Sequence, residues 1–364
     1  MSVVTFVLPG PPERPIGGYK VVYAYASHLA EQGHSVTIYQ PRVPAGARYI
    51  IEPDDRLHRS VETLRRVRQA RSYVKRMPAR PSWFDLDPAV HVRNSVRLSP
   101  RQIQASDAIV ATAVHTAPLV AAAVMRQRCK GIYFLQHFET WAAPLAFVES
   151  TWQLPLTRVV IAPWLAEKGR ELGVPTILVP NAIDAAEFPP GPPISERGIA
   201  VLALVSSAPF KRTDLVVSVM RQLDAQFEGF TGATFGTCER PAGLPESVTH
   251  YFDPPRERLV SLYADSRIYL CASDSEGWHL PAAEAMATGA ALVSTDNGGV
   301  RAYADSAALF APVGDATALG DAALGLLQDD ARCQELASRG QQQILARSPA
   351  QAAQEFAQVV LPER

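Results

Sequence analysis

The sequence predicts an α/β protein of two doubly wound halves facing each other across a cleft. Three observations carry this. The first forty residues alternate strand, glycine-bearing loop, helix and strand. The alternation recurs to about residue 180, and it restarts beyond a proline-rich break at 189–193. Such alternation is the signature of a parallel sheet with helices on both faces, and 364 residues suffice for about two domains of this kind.

Residues 3–8 (VVTFVL) are β-branched and apolar and run into PGPP, as a fully buried strand would. Gly17 and Gly18 follow. A helical pattern then passes through Val22, Tyr25, Ala26 and Leu29 to stop at Gly33. Residues 35–39 form the second strand. Further strands are expected at 108–111, 132–136, 159–161 and 176–179. The apolar run 108–125 imitates a membrane span, but His115 and Pro118 divide it, so a buried strand followed by a helix explains it better. After Pro189-Pro190-Gly191-Pro192-Pro193, strands are expected at 199–205, 268–271 and 291–294. Helices are expected at 214–223 and 281–288, with a final one at 349–360. The implied division is a first domain at 1–181, a linker at 182–197, a second domain at 198–348 and a terminal helix at 349–364.

One stretch departs from the alternation. Residues 56–80 carry nine Lys and Arg against one acid, Glu62, with Leu57, Val61, Leu64, Val67, Val74 and Met77 at helical spacing. This spacing predicts a basic amphipathic helix. Two readings stay open: a solvated cationic face on a helix packed against the first domain, or peripheral docking to an anionic membrane or acidic polymer. Over the whole chain charges cancel, 35 Lys and Arg against 36 Asp and Glu, so nucleic acid is not an expected partner. Four scattered cysteines make neither a disulfide framework nor a zinc cluster, and a reducing compartment fits. The N-terminus lacks a basic n-region, and a cytoplasmic location is expected, with any membrane contact at the inner face through 56–80.

The densest chemical signal is SDSEGWHLPAAEAMATG, residues 273–289. Glu276 falls in the loop after a strand, and Glu284 lies about one turn into the helix that Pro281 opens. Amides at that helix start, around Leu280, suit a phosphate, and a carboxylate on either side suits hydroxyl-rich groups. This block resembles the E-x7-E signature of retaining GT-B glycosyltransferases of family 4, commonly EGFGLPxxEAMAxG. Matches in the same order are Gly17-Gly18, Gly33-His34, residues 179–184 (VPNAID), Lys211-Arg212, residues 263–266 (YADS) and residues 296–299 (DNGG).

The resemblance implies a GT-B fold of two Rossmann-like domains. It also implies transfer of a hexose or deoxyhexose from a nucleotide-sugar donor to a glycan, glycolipid or small-molecule acceptor, with retained configuration, no metal and no cofactor. Glu276 would bind donor-sugar hydroxyls and Glu284 the ribose hydroxyls. Gly17 and Gly18 would let the backbone approach the diphosphate, and Lys211 would neutralise it as it leaves. His137, in the QHFE run 136–139, would face the sugar. Gly277, Trp278, His279, Leu280, Pro281, Ser206 and Arg212 complete the donor side. The donor would bind the second domain and the acceptor the first, with the terminal helix crossing back to it.

Two departures stand out. The family's arginine before the lysine is missing from residues 205–211 (VSSAPFK), where Arg212 is the nearest substitute. Trp278-His279 replaces the usual Phe-Gly, which puts a titratable group beside the expected meeting point of sugar and phosphate. The missing arginine motivates an alternative, a non-catalytic paralogue that binds a glycan or partners an active transferase. A sugar-nucleotide epimerase is a second alternative, against which the E-x7-E block argues.

Overall fold

The chain opens with strand β1 (Val3–Val7), and all but its first residue are buried. It is covered by α1 (Gly17–Glu31), whose buried residues Val22, Tyr25, Ala26 and Leu29 recur at three- and four-residue steps. The computed structural model describes residues 1–12, 14–41 and 80–361. The basic stretch 56–79 lies outside the described residues. Arg80, its last member, donates to the carbonyls of Leu86, Asp87 and Val90.

Two units make up the chain, residues 1–181 with 350–364, and residues 182–349. The first is built on a seven-stranded sheet of β1, β2 (Ser35–Pro41), β3 (His91–Ser95), β4 (Ala108–Ala111), β5 (Lys130–Leu135), β6 (Thr157–Val160) and β7 (Thr176–Leu178). The order is β3-β2-β1-β4-β5-β6-β7 and every pairing is parallel. The run 108–125 divides, as read from the sequence, into β4 and α2 (Ala117–Gln127). Among the described residues no helix is long and apolar enough to cross a membrane. Helices α3 (Leu145–Trp152) and α4 (Pro163–Glu171) complete the first stretch.

The second unit holds β8 (Ile199–Leu204), β9 (Gly232–Gly236), β10 (Val248–Phe252), β11 (Ser266–Cys271), β12 (Ala291–Thr295) and β13 (Leu309–Ala311). They are again all parallel, in the order β10-β9-β8-β11-β12-β13. Its helices are α5 (Thr213–Gln226), α6 (Arg256–Ala264), α7 (Leu280–Ala287), α8 (Arg301–Ala304), α9 (Ala316–Leu327) and α10 (Asp330–Leu345). The core between sheet and helices is aliphatic, with Val201, Val219, Met220, Ile268, Val293, Leu319 and Leu326 almost wholly removed from water. The proline run is laid on this unit: the Gly191 amide donates to Thr288 O at 2.9 Å, and Arg197 Nε donates to Pro192 O at 2.8 Å.

The strand order reverses between β1 and β4 in one sheet and between β8 and β11 in the other. At such switch points the loops leave in opposite directions and open a crevice beyond the carboxyl ends. The loops after β8 and β11 carry Lys211 and Glu276. The fold therefore delivers both groups to one place.

The last helix, α11 (Pro349–Val360), belongs to the first unit. Its buried residues Ala352, Ala353, Phe356, Ala357 and Val360 form one stripe. Phe356 meets Tyr25 at 4.6 Å, Phe134 at 5.1 Å and Phe6 at 6.1 Å between ring centroids. Phe356→Ala is expected to destabilise the first unit by about 3–5 kcal/mol, the range for emptying a buried aromatic site. Denaturant unfolding followed by circular dichroism measures this, and a change under 1 kcal/mol would contradict the packing.

Candidate active site

Lys211 closes a 3-10 turn, Pro209–Lys211, directly after β8. Its Nζ lies 2.6 Å from Glu276 Oε1. The same oxygen is 2.9 Å from His279 Nδ1, an ion-pair separation that lies off the line of a hydrogen bond. The Glu276 side chain is only 6% exposed and that of His279 2%. His279 Nε2 meets the Tyr269 hydroxyl at 3.2 Å. Burial alone would raise the Glu276 carboxyl, but His279 and then Lys211 overcome it and hold the group far below the usual carboxylate range. Burial likewise disfavours the imidazolium, yet Cys271 and Glu276 push His279 up to about 9.

Local sequence explains the geometry. Tyr269 and Cys271 alternate on β11 and so point to the same face, the one His279 packs on. His279 caps α7 with φ 59 and ψ 71, a left-handed conformation in which the resembled motif has glycine. Its carbonyl accepts from Tyr303 Oη at 3.1 Å, and Trp278 packs on the Tyr303 ring at 4.4 Å. Pro281 is in the first turn of α7, whose leading amides have no partner within the helix.

Glu284, buried on α7, accepts from Tyr263 Oη at 3.2 Å and lies 3.5 Å from Arg256 Nη1. Arg256 also pairs with Glu187 and stacks over Phe188 at 4.7 Å. The Tyr269 phenol is raised by burial and then by its charged neighbours, both Glu276 and Glu284 among them. Both glutamates therefore act on one buried phenol. Arg212 is turned to Asp214 and Asp274, at 2.8 and 2.9 Å, so its charge is already met. Ser206 is bound into its own loop, its amide donating to Thr213 Oγ1 at 2.9 Å and its hydroxyl accepting from Ala208 N. Gly277, between Glu276 and Trp278, is buried.

Cys271, Glu276 and His279 each bring one ligand-type atom within 4.8 Å of the other two, and their types would suit zinc. Two features oppose it. The Lys211 ammonium already occupies Glu276 Oε1, and 2.9 Å between oxygen and nitrogen is shorter than the roughly 3.3 Å edge of a tetrahedron with ~2.0–2.1 Å bonds. Lys211, Glu276 and His279 form an ion-pair network.

In the first unit, Gly17 and Gly18 are the first residues of α1. A Cβ on Gly18 would come within 3.3 Å of the Gln136 amide, which donates to Gly18 O at 3.0 Å. His137 is edge-on to Trp141 at 4.2 Å and to Trp164 at 5.4 Å. Sequence reasoning missed Glu139, two residues on. Burial pushes its carboxyl up to about 7 while the Val114 amide donates to it. Arg256, Tyr269 and Asp274 were missed as well. Only the alternation of Tyr269 with Cys271 could have signalled any of them.

Residues 238–343 match the family of glycosyl transferases group 1. This span contains Glu276, His279 and Glu284 on their observed loop and helix. The chain has a GT-B fold, and over residues 238–343 it is similar to the glycosyl transferases group 1. Solved structures agree over almost the whole length. Sucrose-phosphate synthase from Thermosynechococcus elongatus is 16% identical with a TM-score of 0.71, covering 99% of this chain and 98% of that one. Anabaena HepE, solved with UDP-glucose, is 13% identical with a TM-score of 0.69, covering 98% and 100%. S. aureus TarM, solved as a mutant with UDP and alpha-GlcNAc-glycerol, is 10% identical with a TM-score of 0.69, covering 99% and 100%. At such identities the likeness is one of fold. No curated protein sequence matches the chain.

Proposed function

We propose that the protein is a retaining, metal-independent glycosyltransferase that moves a hexose or deoxyhexose from a nucleoside diphosphate donor to a hydroxyl of a glycan, glycolipid or small molecule. The observation that carries the reading is the Lys211–Glu276–His279 cluster beside the start of α7, with Glu284 one turn deeper. Glu276 receives the donor-sugar hydroxyls, Lys211 and the α7 amides meet the diphosphate, and Glu284 takes the ribose hydroxyls. Charge building on the departing diphosphate needs cations and aligned amides, and a preset site stabilises it without reorganisation. The leaving phosphate oxygen takes the acceptor proton, and no side chain acts as a covalent nucleophile. HepE, which shares the fold, was solved with UDP-glucose, and this supports a nucleotide sugar as donor.

Thermal shift with UDP-, GDP- and dTDP-linked hexoses, followed by donor-turnover assays, tests this. A donor at 100 times its Kd stabilises the folded state by about 2.7 kcal/mol. That corresponds to roughly 5–10 °C for a unit of this size. Turnover is expected to survive EDTA and to give a product of unchanged anomeric configuration by NMR. No shift with any member and no turnover would point instead to a non-catalytic paralogue.

A further inference from the structure

Glu276 is served by two cations of opposite character. Lys211 reaches it from a surface turn with a side chain 19% exposed, on a flexible stem. His279 is enclosed. Its ring is held by the Tyr269 hydroxyl, its carbonyl by Tyr303 Oη, and its backbone turns through a left-handed angle that histidine does not favour. Lys211 can leave its carboxylate, and His279 cannot. The distinction matters because the proposed reaction asks Lys211 to serve a second anion, the diphosphate. Were Lys211 its only cation, a carboxylate this buried would be left an uncompensated charge when that lysine moved. In the resembled motif glycine stands at 279, so the second cation belongs to this chain and not to the motif.

We propose that His279 is a positioning residue, a fixed counter-cation that keeps the Glu276 carboxylate ionised and aimed at the donor sugar while Lys211 is drawn to the diphosphate. The inference rests on the glycosyltransferase reading and specifies how its site is held. The groups facing the imidazole are Glu276 from the loop and Tyr269 and Cys271 from β11, with Lys211 beyond the carboxylate and Tyr303 from α8 at the His279 carbonyl. Burial opposes the imidazolium, and Cys271 and Glu276 together sustain it.

Two measurements test it. In protein labelled with 15N-histidine, one imidazole is expected to stay protonated through neutral pH and titrate near 9. Its titration should fall by at least about one pH unit in Glu276→Gln and rise in Lys211→Ala or with inorganic pyrophosphate, which draws Lys211 away. In turnover assays with the panel donor used fastest, His279→Gln and His279→Gly should lower kcat at least about tenfold, with KM for the donor changed less than about threefold. The loss is in the transition state and not in ground-state binding. The alkaline fall of kcat near pH 9 should vanish in both variants. A merely structural histidine would move melting temperature without removing that limb. Titration at an ordinary value, or a His279→Gln enzyme with the wild-type kcat and alkaline limb, would overturn the inference and leave the glycosyltransferase reading standing. A wild-type protein that turns over no panel donor would overturn the reading, and the role with it, even if NMR shows the ion pair intact.

Discussion

Glu276→Gln is expected to lower turnover at least tenfold while leaving the chain folded at neutral pH. The substitution keeps shape and volume and removes one charge. That charge is the shared partner of Lys211 at 2.6 Å and His279 at 2.9 Å, so the variant confronts two cations with a neutral amide. Losing one preset electrostatic contact to a transition state typically costs about 10²–10³ in kcat, and tenfold is a low bound. Lys211→Ala should fall at least as far, because the diphosphate then departs without its cation. Initial rates with a saturating donor measure both, and near-wild-type turnover in both would remove the assignment.

The same variant carries a pH signature. The Glu276 carboxyl is depressed in the folded chain, so its stabilisation is present above the unfolded carboxylate range and is lost as pH falls. His279 is raised to about 9, so its contribution is complete below about 6.5 and is lost as pH rises through 9. Wild-type stability should therefore decline from neutral toward alkaline pH, and Glu276→Gln should flatten both limbs. Denaturant midpoints across pH 4–10 read this directly.

Gly299→Ala is expected to damage both stability and activity through a single methyl group. An added Cβ would lie 2.4 Å from Glu276 O and 2.8 Å from Glu276 Cβ. The obstacle is backbone, which cannot swing aside, so the Glu276 loop must move. Overpacking of this kind costs typically about 1–3 kcal/mol. Displacement by an ångström at a reacting centre can cost on the order of 10²-fold in rate. Turnover should fall at least tenfold and the melting temperature by several degrees. Gly325 is the control: it sits in α9 with open space around its Cβ direction, and alanine there should be neutral or slightly stabilising. Equal behaviour of the two variants would refute the argument.

How much of this was legible depended on burial and on locality. Strands β1, β8, β11 and β12 were readable because sheet interiors demand unbroken apolar runs. The edge strands β3 and β10 were not. HVRNS and VTHYF are mostly half-exposed or exposed, so neither an apolar run nor clean alternation marks them. Glu276 and Glu284 were legible because one loop and one helix carry both in a dense local block. Their partners were not, since Arg256 and Tyr263 reach Glu284 from α6, and Glu139 meets its amide 25 residues away. Ion pairs formed across elements leave no spacing rule in one sequence. The left-handed turn at His279 was legible only as an oddity, histidine where glycine was expected. The coordinates give it partners.

The terminal helix also orders events on the ribosome. Residues 182–349 form a continuous stretch that can complete its hydrophobic interior as soon as it has emerged. The sheet of the first unit precedes residues 182–349 in the chain yet needs Phe356, which follows them, to fill the space between Phe6, Tyr25 and Phe134. The sheet that precedes the second unit in the chain is thus completed only after that unit has been made.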